Sequence, residues 1–256
     1  MTLGSFIDAV EARTDRTYTL ALVNDDRPEP VTRMVARLFD DQPVAVDERR
    51  LEGFEENVVV LFADGDVVAT SPLDDLEREI LFVNSDLYKT GEGHFESLET
   101  PAVLTELEDV AFRLRGYPES DTEKLLLIAL SRYVERLAWT HGTGRLRSAF
   151  QRLSRIRDER GTGAVYRRLG GTDVDVHLYG RPDWIPPAEY DAVVHAGRSP
   201  LFRDFWFVLA RPEGRGTAGA LLAEELAPAP GVASGRSTKR GSPTSRRQSS
   251  DASNQR

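Results

Sequence analysis

Cysteine is absent from this chain of 256 residues, which excludes a disulfide framework, a zinc ribbon, a thiol nucleophile and an iron–sulfur cluster. Apolar runs of about 18 residues, long enough to cross a bilayer, are also missing. Histidine occurs only as His94, His141, His177 and His195. None is spaced with a second histidine or a carboxylate on one helical turn, so no metal centre is expected. The glycine-rich phosphate loop, the G-x-S-x-G elbow, the H-E-x-x-H helix and a strand-coupled G-x-G-x-x-G are all missing. No catalytic residue and no cofactor is therefore expected. The amino end lacks a basic segment and turns acidic at once, which reads as a cytoplasmic chain without a signal peptide or membrane contact.

Lysine is scarce as well: Lys89, Lys124 and Lys239 are the only three among 33 basic residues. The formal net charge is −9. Six basic residues (Arg236, Lys239, Arg240, Arg246, Arg247 and Arg256) and one acid (Asp251) lie in 229–256, which leaves −14 on the rest. An acidic, lysine-poor surface suits a concentrated-salt cytoplasm, where long-range repulsion is screened. It argues against nucleic-acid binding except through the basic tail.

What is present reads as α/β or α+β: a mixed β-sheet packed against several helices, with a disordered C-terminal tail. Strands are expected at Tyr18–Val23, Val44–Val46, Asn57–Phe62 and, after an Asp64-Gly65 hairpin turn, Asp66–Thr70. The continuous apolar run at 57–62 predicts a central strand buried on both faces. Val31, Met34, Val35, Leu38 and Phe39 predict an amphipathic helix, and Ser71 with Pro72 predicts the cap and first position of another. Helices are further expected over 103–115, 122–140 and 144–158, the second opened by a Ser120/Glu123 capping box and largely buried. Asp173–Tyr179 alternates with period two, placing Val174, Val176 and Leu178 inward and Asp175, His177 and Tyr179 on the opposite face. A rigid turn over Gly180–Pro187 follows, then strands at Asp191–His195, Phe205–Leu209 and Ala218–Ala223. From Leu226 onward there is little to bury, and disorder is expected.

Three clusters could carry function. Trp139-Thr-His-Gly-Thr-Gly-Arg-Leu146 reads either as an anion-attracting helix start with Arg145 as a contact, or as a turn that needs its glycines for positive φ. The stretch Arg145–Arg168 holds eight arginines against Asp158 and Glu159, and reads either as a phosphate clamp or as a solvated face. Asp175, His177 and Tyr179, followed by Asp183 and Trp184, read either as a carboxylate, an imidazole and a phenol within reach of one polar ligand or as the solvent-facing side of an edge strand. No serine or threonine stands beside them as a nucleophile.

Read in order, these blocks resemble the DICT sensory domain, a family associated with diguanylate cyclases, two-component proteins and some transcription regulators. The resemblance covers about Leu125 to Glu225. It runs through Trp139–Leu146, Phe150-Gln-Arg-Leu-Ser154, Val176-His-Leu-Tyr-Gly-Arg-Pro-Asp-Trp184, Trp206-Phe-Val208 and Leu222-Ala-Glu-Glu225. Leu3–Val10 with Tyr18-Thr-Leu20 is similar to stand-alone haloarchaeal members. The chain departs from them after Ala-Glu-Glu, where they continue into an aromatic-rich strand and helix and this chain enters its Ser/Arg tail.

The resemblance implies a signal-input role without catalytic residues. The expected organisation is an N-terminal α/β portion over 1–116, a DICT-like core over 117–227 and a tail over 228–256. Candidate ligand contacts are Arg145, Gln151, Asp175, His177, Tyr179, Asp183 and Trp184. The expected partners are a small-molecule ligand and a signalling protein. Two other classes fit the residues: a small enzyme acting on a phosphorylated metabolite, and an interaction module that binds no ligand.

Overall fold

A computed structural model describes residues 16–39, 42–85, 100–107, 110, 112–115 and 121–226. Ser120 of the expected capping box, the amino-terminal segment similar to haloarchaeal proteins and the Ser/Arg tail lie outside the described residues. Within them the fold is mixed α/β, but the strands form two mixed sheets where one was expected.

The first sheet has the order β2-β1-β3-β4, from Val44–Arg49, Tyr18–Val23, Val58–Ala63 and Asp66–Pro72. β1 runs parallel to β2 and antiparallel to β3, and β3 returns as a hairpin into β4. Asp64 (φ 53°) and Gly65 (φ 92°) make that turn in the left-handed region, as a two-residue hairpin demands. All six residues of β3 are buried, as the unbroken apolar run predicted. Leu20, Leu22, Val59 and Leu61 enter the main core, while Ala21, Val23, Val60 and Phe62 form a second cluster under Leu51 and Phe54. Helices α1 (Glu29–Leu38) and α2 (Leu73–Ser85) contribute Val35, Leu38, Leu76 and Ile80 to the main core.

Ser71 and Pro72 do not cap α2; they close β4, and α2 starts at Leu73. Pro72 is tolerated because β4 is an edge strand with no further ladder to feed. The Ser71 hydroxyl instead accepts the Val103 N–H at 3.3 Å. The helix expected over 103–115 is also corrected. Among the described residues there only α3 (Ala102–Thr105) is helical, and Phe112–Arg115 is strand β5. The helical spacing of Val103, Leu104, Leu107 and Val110 is overridden by the pairing of β5 with an edge of the second sheet.

That second sheet has six strands in the order β5-β10-β9-β6-β7-β8. Its members after β5 are β6 (Thr143–Arg152), β7 (Asp173–Arg181), β8 (Ala192–Ala196), β9 (Phe205–Arg211) and β10 (Gly219–Leu226). β6, β7 and β8 run parallel to one another, and β9 runs antiparallel to β6 and β10. The expected helix over 144–158 is the largest correction. Leu146, Ala149, Phe150 and Leu153 recur at helical spacing because the second half of β6, 148–151, is buried on both faces and the strand ends in a bulge. Leu146 and Phe150 enter the main core, whereas Ala149 packs on the other face with Phe205 and Phe207. The chain becomes helical only afterwards, in α5 (Arg155–Asp158) and α6 (Arg160–Leu169). The strand of 173–179 carries on through Gly180 and Arg181, which shortens the turn expected there.

Helix α4 (Asp121–His141) ties the two sheets together. It packs on β6, β9 and β10 and, on its other sides, against α1, α2 and α6. Leu126, Leu127, Ile128 and Ala129 are buried in succession, as a helix covered all round requires. No helix among the described residues is long and apolar enough to cross a membrane.

Candidate functional site

The second sheet hides one face against α4 and α6 and turns the other outward, and register decides what that face carries. Arg145 stands opposite Asp175 on β7 and Arg211 on β9. In the next row on the same face, Leu209, Arg147, His177 and Val193 line up across four strands. The row beyond holds Leu222, Phe207, Ala149, Tyr179 and His195. A short helix, α7 (Pro200–Arg203), covers the aromatic end of this face, where Leu201 and Phe202 approach Phe207 and Tyr179. The arginine end stays open: Arg145 and Arg211 are exposed, as are Leu209 and Val193.

Four of the predicted residues meet here. Arg145 Nε donates to Asp175 Oδ2 at 2.8 Å, and His177 Nε2 lies 3.0 Å from the same oxygen. Through its other nitrogen, Nδ1, His177 shares a hydrogen bond with His195 Nε2 at 2.8 Å. The His195 ring stacks on Tyr179 with centroids 4.4 Å apart. The result is a chain from carboxylate to imidazole to imidazole to phenol ring. The Arg145 guanidinium, followed by His177, holds the Asp175 carboxyl below the usual carboxylate range. Burial, then the neighbouring His177 and the Arg147 guanidinium, hold the His195 imidazole below its ordinary value. Such a cluster can bind a polar ligand, and the two imidazoles can share a proton through their hydrogen bond. Among the described residues no hydroxyl hydrogen-bonds either imidazole, so the arrangement lacks the activated oxygen of a nucleophile–base pair.

The other three predicted residues stand apart from this face. Gln151 is buried at the β6 bulge, with φ 58°. Asp183 accepts the Ser154 N–H at 3.0 Å and the Ser154 hydroxyl at 2.9 Å. Burial pushes its carboxyl up, but these bonds outweigh it and hold the group below the usual range. Trp184 meets Tyr190 edge to face, with the Arg157 guanidinium 5.9 Å from its ring. Asp183 and Trp184 therefore brace the turns around α5.

The Trp139–Leu146 block is a joint and not a helix start. Gly142 (φ 74°) ends α4, and Gly144 (φ 105°) lies on β6 where it crosses the Arg211–Glu213 backbone. His141 Nε2 contacts the Glu213 carbonyl oxygen at 2.7 Å and ties the same turn. The reading of the glycines as needed for positive φ therefore holds, and Thr143 caps nothing because it begins a strand.

Sequence reasoning missed two features. The first is a buried ionic layer behind the sheet. Arg132 of α4 pairs with Glu135 at 2.5 Å and donates to the Thr162 hydroxyl at 2.9 Å. Thr162 in turn donates to Glu159, which also holds Lys124 at 3.0 Å. Tyr166 donates to the Ser148 hydroxyl at 2.5 Å beneath Ala149 and Arg147. Burial pushes the Glu135 carboxyl and the Tyr166 phenol upward. The signal was legible: Arg132, Glu135 and Arg136 interrupt the apolar surface of an otherwise buried helix. The second is a cleft of about 550 Å³ between α3, β5, α4 and β10, lined in part by Leu104, Phe112, Leu130, Tyr133, Val134 and Leu221. It depends on β5, whose strand character the helical spacing concealed.

Compared with protein-family models, with curated proteins and with solved structures, the chain matches none.

Proposed function

We propose that this chain is a signal-input unit of the DICT type. It binds a small ligand on the outer face of β6, β7 and β9 and relays that event to a signalling protein by contact, without catalysing a reaction. The observation that carries this reading is the convergence of Arg145, Asp175, His177 and Tyr179, joined by His195, on one outward sheet face. A route for the signal supports it. β6 and β9 back directly onto α4, and α4 touches α1 and α2 beneath the other sheet. A ligand that favours one arrangement of these strands over another shifts the position of α4 by its differential affinity.

Native mass spectrometry of the chain purified from its own cells, beside the denatured sample, tests the reading. The expected result is a small molecule of fixed mass held by the native chain and lost in His177→Ala and Arg145→Ala. A bare native chain, or a molecule that both variants retain, overturns it. Saturable turnover that Arg145→Ala abolishes would overturn the non-catalytic part.

A further inference from the structure

We propose that the ligand is an oxyanion-bearing molecule, with its phosphoryl or carboxylate group held by Arg147 and Arg211, diagonal neighbours across β6 and β9 beside the Arg145–Asp175 pair. This rests on the sensory reading above and gives its ligand a chemical class.

The register supplies the first argument. Arg145 and Arg211 stand directly opposite each other across the antiparallel β6–β9 pair. Like charges so placed repel and weaken a sheet, and Asp175 answers only the Arg145 half of the pair. Sequences depart from such local rules mainly where function demands it. The second argument is charge balance. Asp175 neutralises Arg145, whereas among the described residues the side chains of Arg147 and Arg211 make no hydrogen bond and no ion pair. Two guanidinium forks are left over, and each can offer paired N–H donors to a carboxylate or phosphate. The third argument is shape. Leu209 and Val193, 38% and 49% exposed, end the row that contains Arg147 and His177. A ligand seated there brings an apolar portion next to its charged group.

The histidine pair then couples the site to protons. His195 and His177 face Arg145 and Arg147 from β6 and Asp175 and Tyr179 from β7, with Arg211 beyond on β9. On α7, Arg203 is already paired with Asp204. Repulsion from Arg147 helps hold the His195 imidazole below its ordinary value. An anion on Arg147 removes part of that repulsion and raises His195, so anion binding and proton uptake strengthen each other.

The test is calorimetric titration of the full chain with sulfate and, separately, malonate, in low salt. Sulfate keeps its charge between pH 6 and 8, so its pH dependence belongs to the protein. Saturable binding at one site per chain is expected, tighter at pH 6 by about threefold or more. Arg147→Gln and Arg211→Gln should each weaken it about tenfold without lowering the thermal transition. Preference for sulfate assigns a phosphoryl-type group, and preference for malonate a carboxylate. Absence of saturable binding by both probes, or affinity unchanged in both variants, overturns the proposal. A neutral molecule found in the native mass spectrum and lost in His177→Ala, with neither probe bound, overturns this assignment and leaves the sensory reading standing.

Discussion

Glu79 gives the sharpest test of how the two sheets are joined. It sits on α2 and faces α4, is only 2% exposed, and its Oε2 has no hydrogen-bond partner. Burial raises its carboxyl to about 7 from an ordinary 4.5, even though Arg136 and Arg132 pull the other way. The folded chain therefore keeps this proton up to about pH 7, whereas the unfolded chain releases it near 4.5. Between those values the native state binds more protons, so stability falls as pH rises through the window, and the full penalty is present above it. The gap amounts to about 3 kcal/mol. Glu79→Gln keeps the shape and removes the charge. It strands neither arginine, because Arg132 holds Glu135 and Thr162 and Arg136 holds Thr100. The variant should melt about 6 to 12 °C higher than the parent at pH 8, with the difference shrinking steadily toward pH 4.5. Thermal unfolding of both proteins by circular dichroism across pH 4.5 to 8 measures this directly. All other titrating groups are shared, so they cancel in the difference. Two parallel curves would refute the burial argument.

Two further outcomes follow from the sheet that bears the site. Tyr166→Phe should cost about 1–3 kcal/mol in a denaturant titration, because it strips the Ser148 hydroxyl of its partner at full burial. Adding Ser148→Ala to that variant should cost less than Ser148→Ala does in the parent, since the pair acts as a unit. Gly144→Ala places a Cβ 2.4 Å from the Arg211 carbonyl oxygen at φ 105°, whereas Gly53→Ala meets nothing within 4 Å at φ 85°. Both changes strain the backbone, but only the first must push β9 away. Its cost should exceed that of Gly53→Ala by about 2 kcal/mol or more; equal costs would show that β6 and β9 yield easily.

The strands that alternate cleanly or stay apolar throughout were readable from sequence. Tyr18–Val23, Val58–Ala63, Asp173–Arg181 and Phe205–Arg211 all lie where the pattern put them, and so does α4. Where reading failed, a helical spacing arose from something other than a helix. In β6, burial of both faces over 148–151 and a bulge at Gln151 produced i, i+3 and i+4 from a strand, with Leu153 just beyond it completing i+7. Around 103–115 the same spacing hid the alternation of Phe112-Arg-Leu-Arg115, which only the neighbouring edge of β10 stabilises. Local pattern cannot report a partner that lies a hundred residues away. For the same reason it could not divide the strands between two sheets: each set is internally consistent, and only α4, apolar on most sides, hinted that it had two surfaces to cover.

The candidate site was legible by a different route. Period two in β7 placed Asp175, His177 and Tyr179 on one face without any knowledge of their neighbours, and that placement survives. Arg145 was singled out as a helix start and reaches the same spot as a strand residue, through parallel pairing with Asp175. His195, Arg147 and Arg211 entered the site only through register, which a single sequence does not specify across non-adjacent strands. Asp183 and Trp184 show the converse. Proximity in sequence to the polar face suggested a ligand role, yet a strand that ends at Arg181 turns the chain away from that face two residues later. Alternation therefore carries information about a site as far as its strand extends and no further. The residues added by neighbouring strands determine what such a face can bind. Here they are two guanidiniums that no side chain among the described residues pairs, and a second imidazole, and it is on these that the proposed anion site rests.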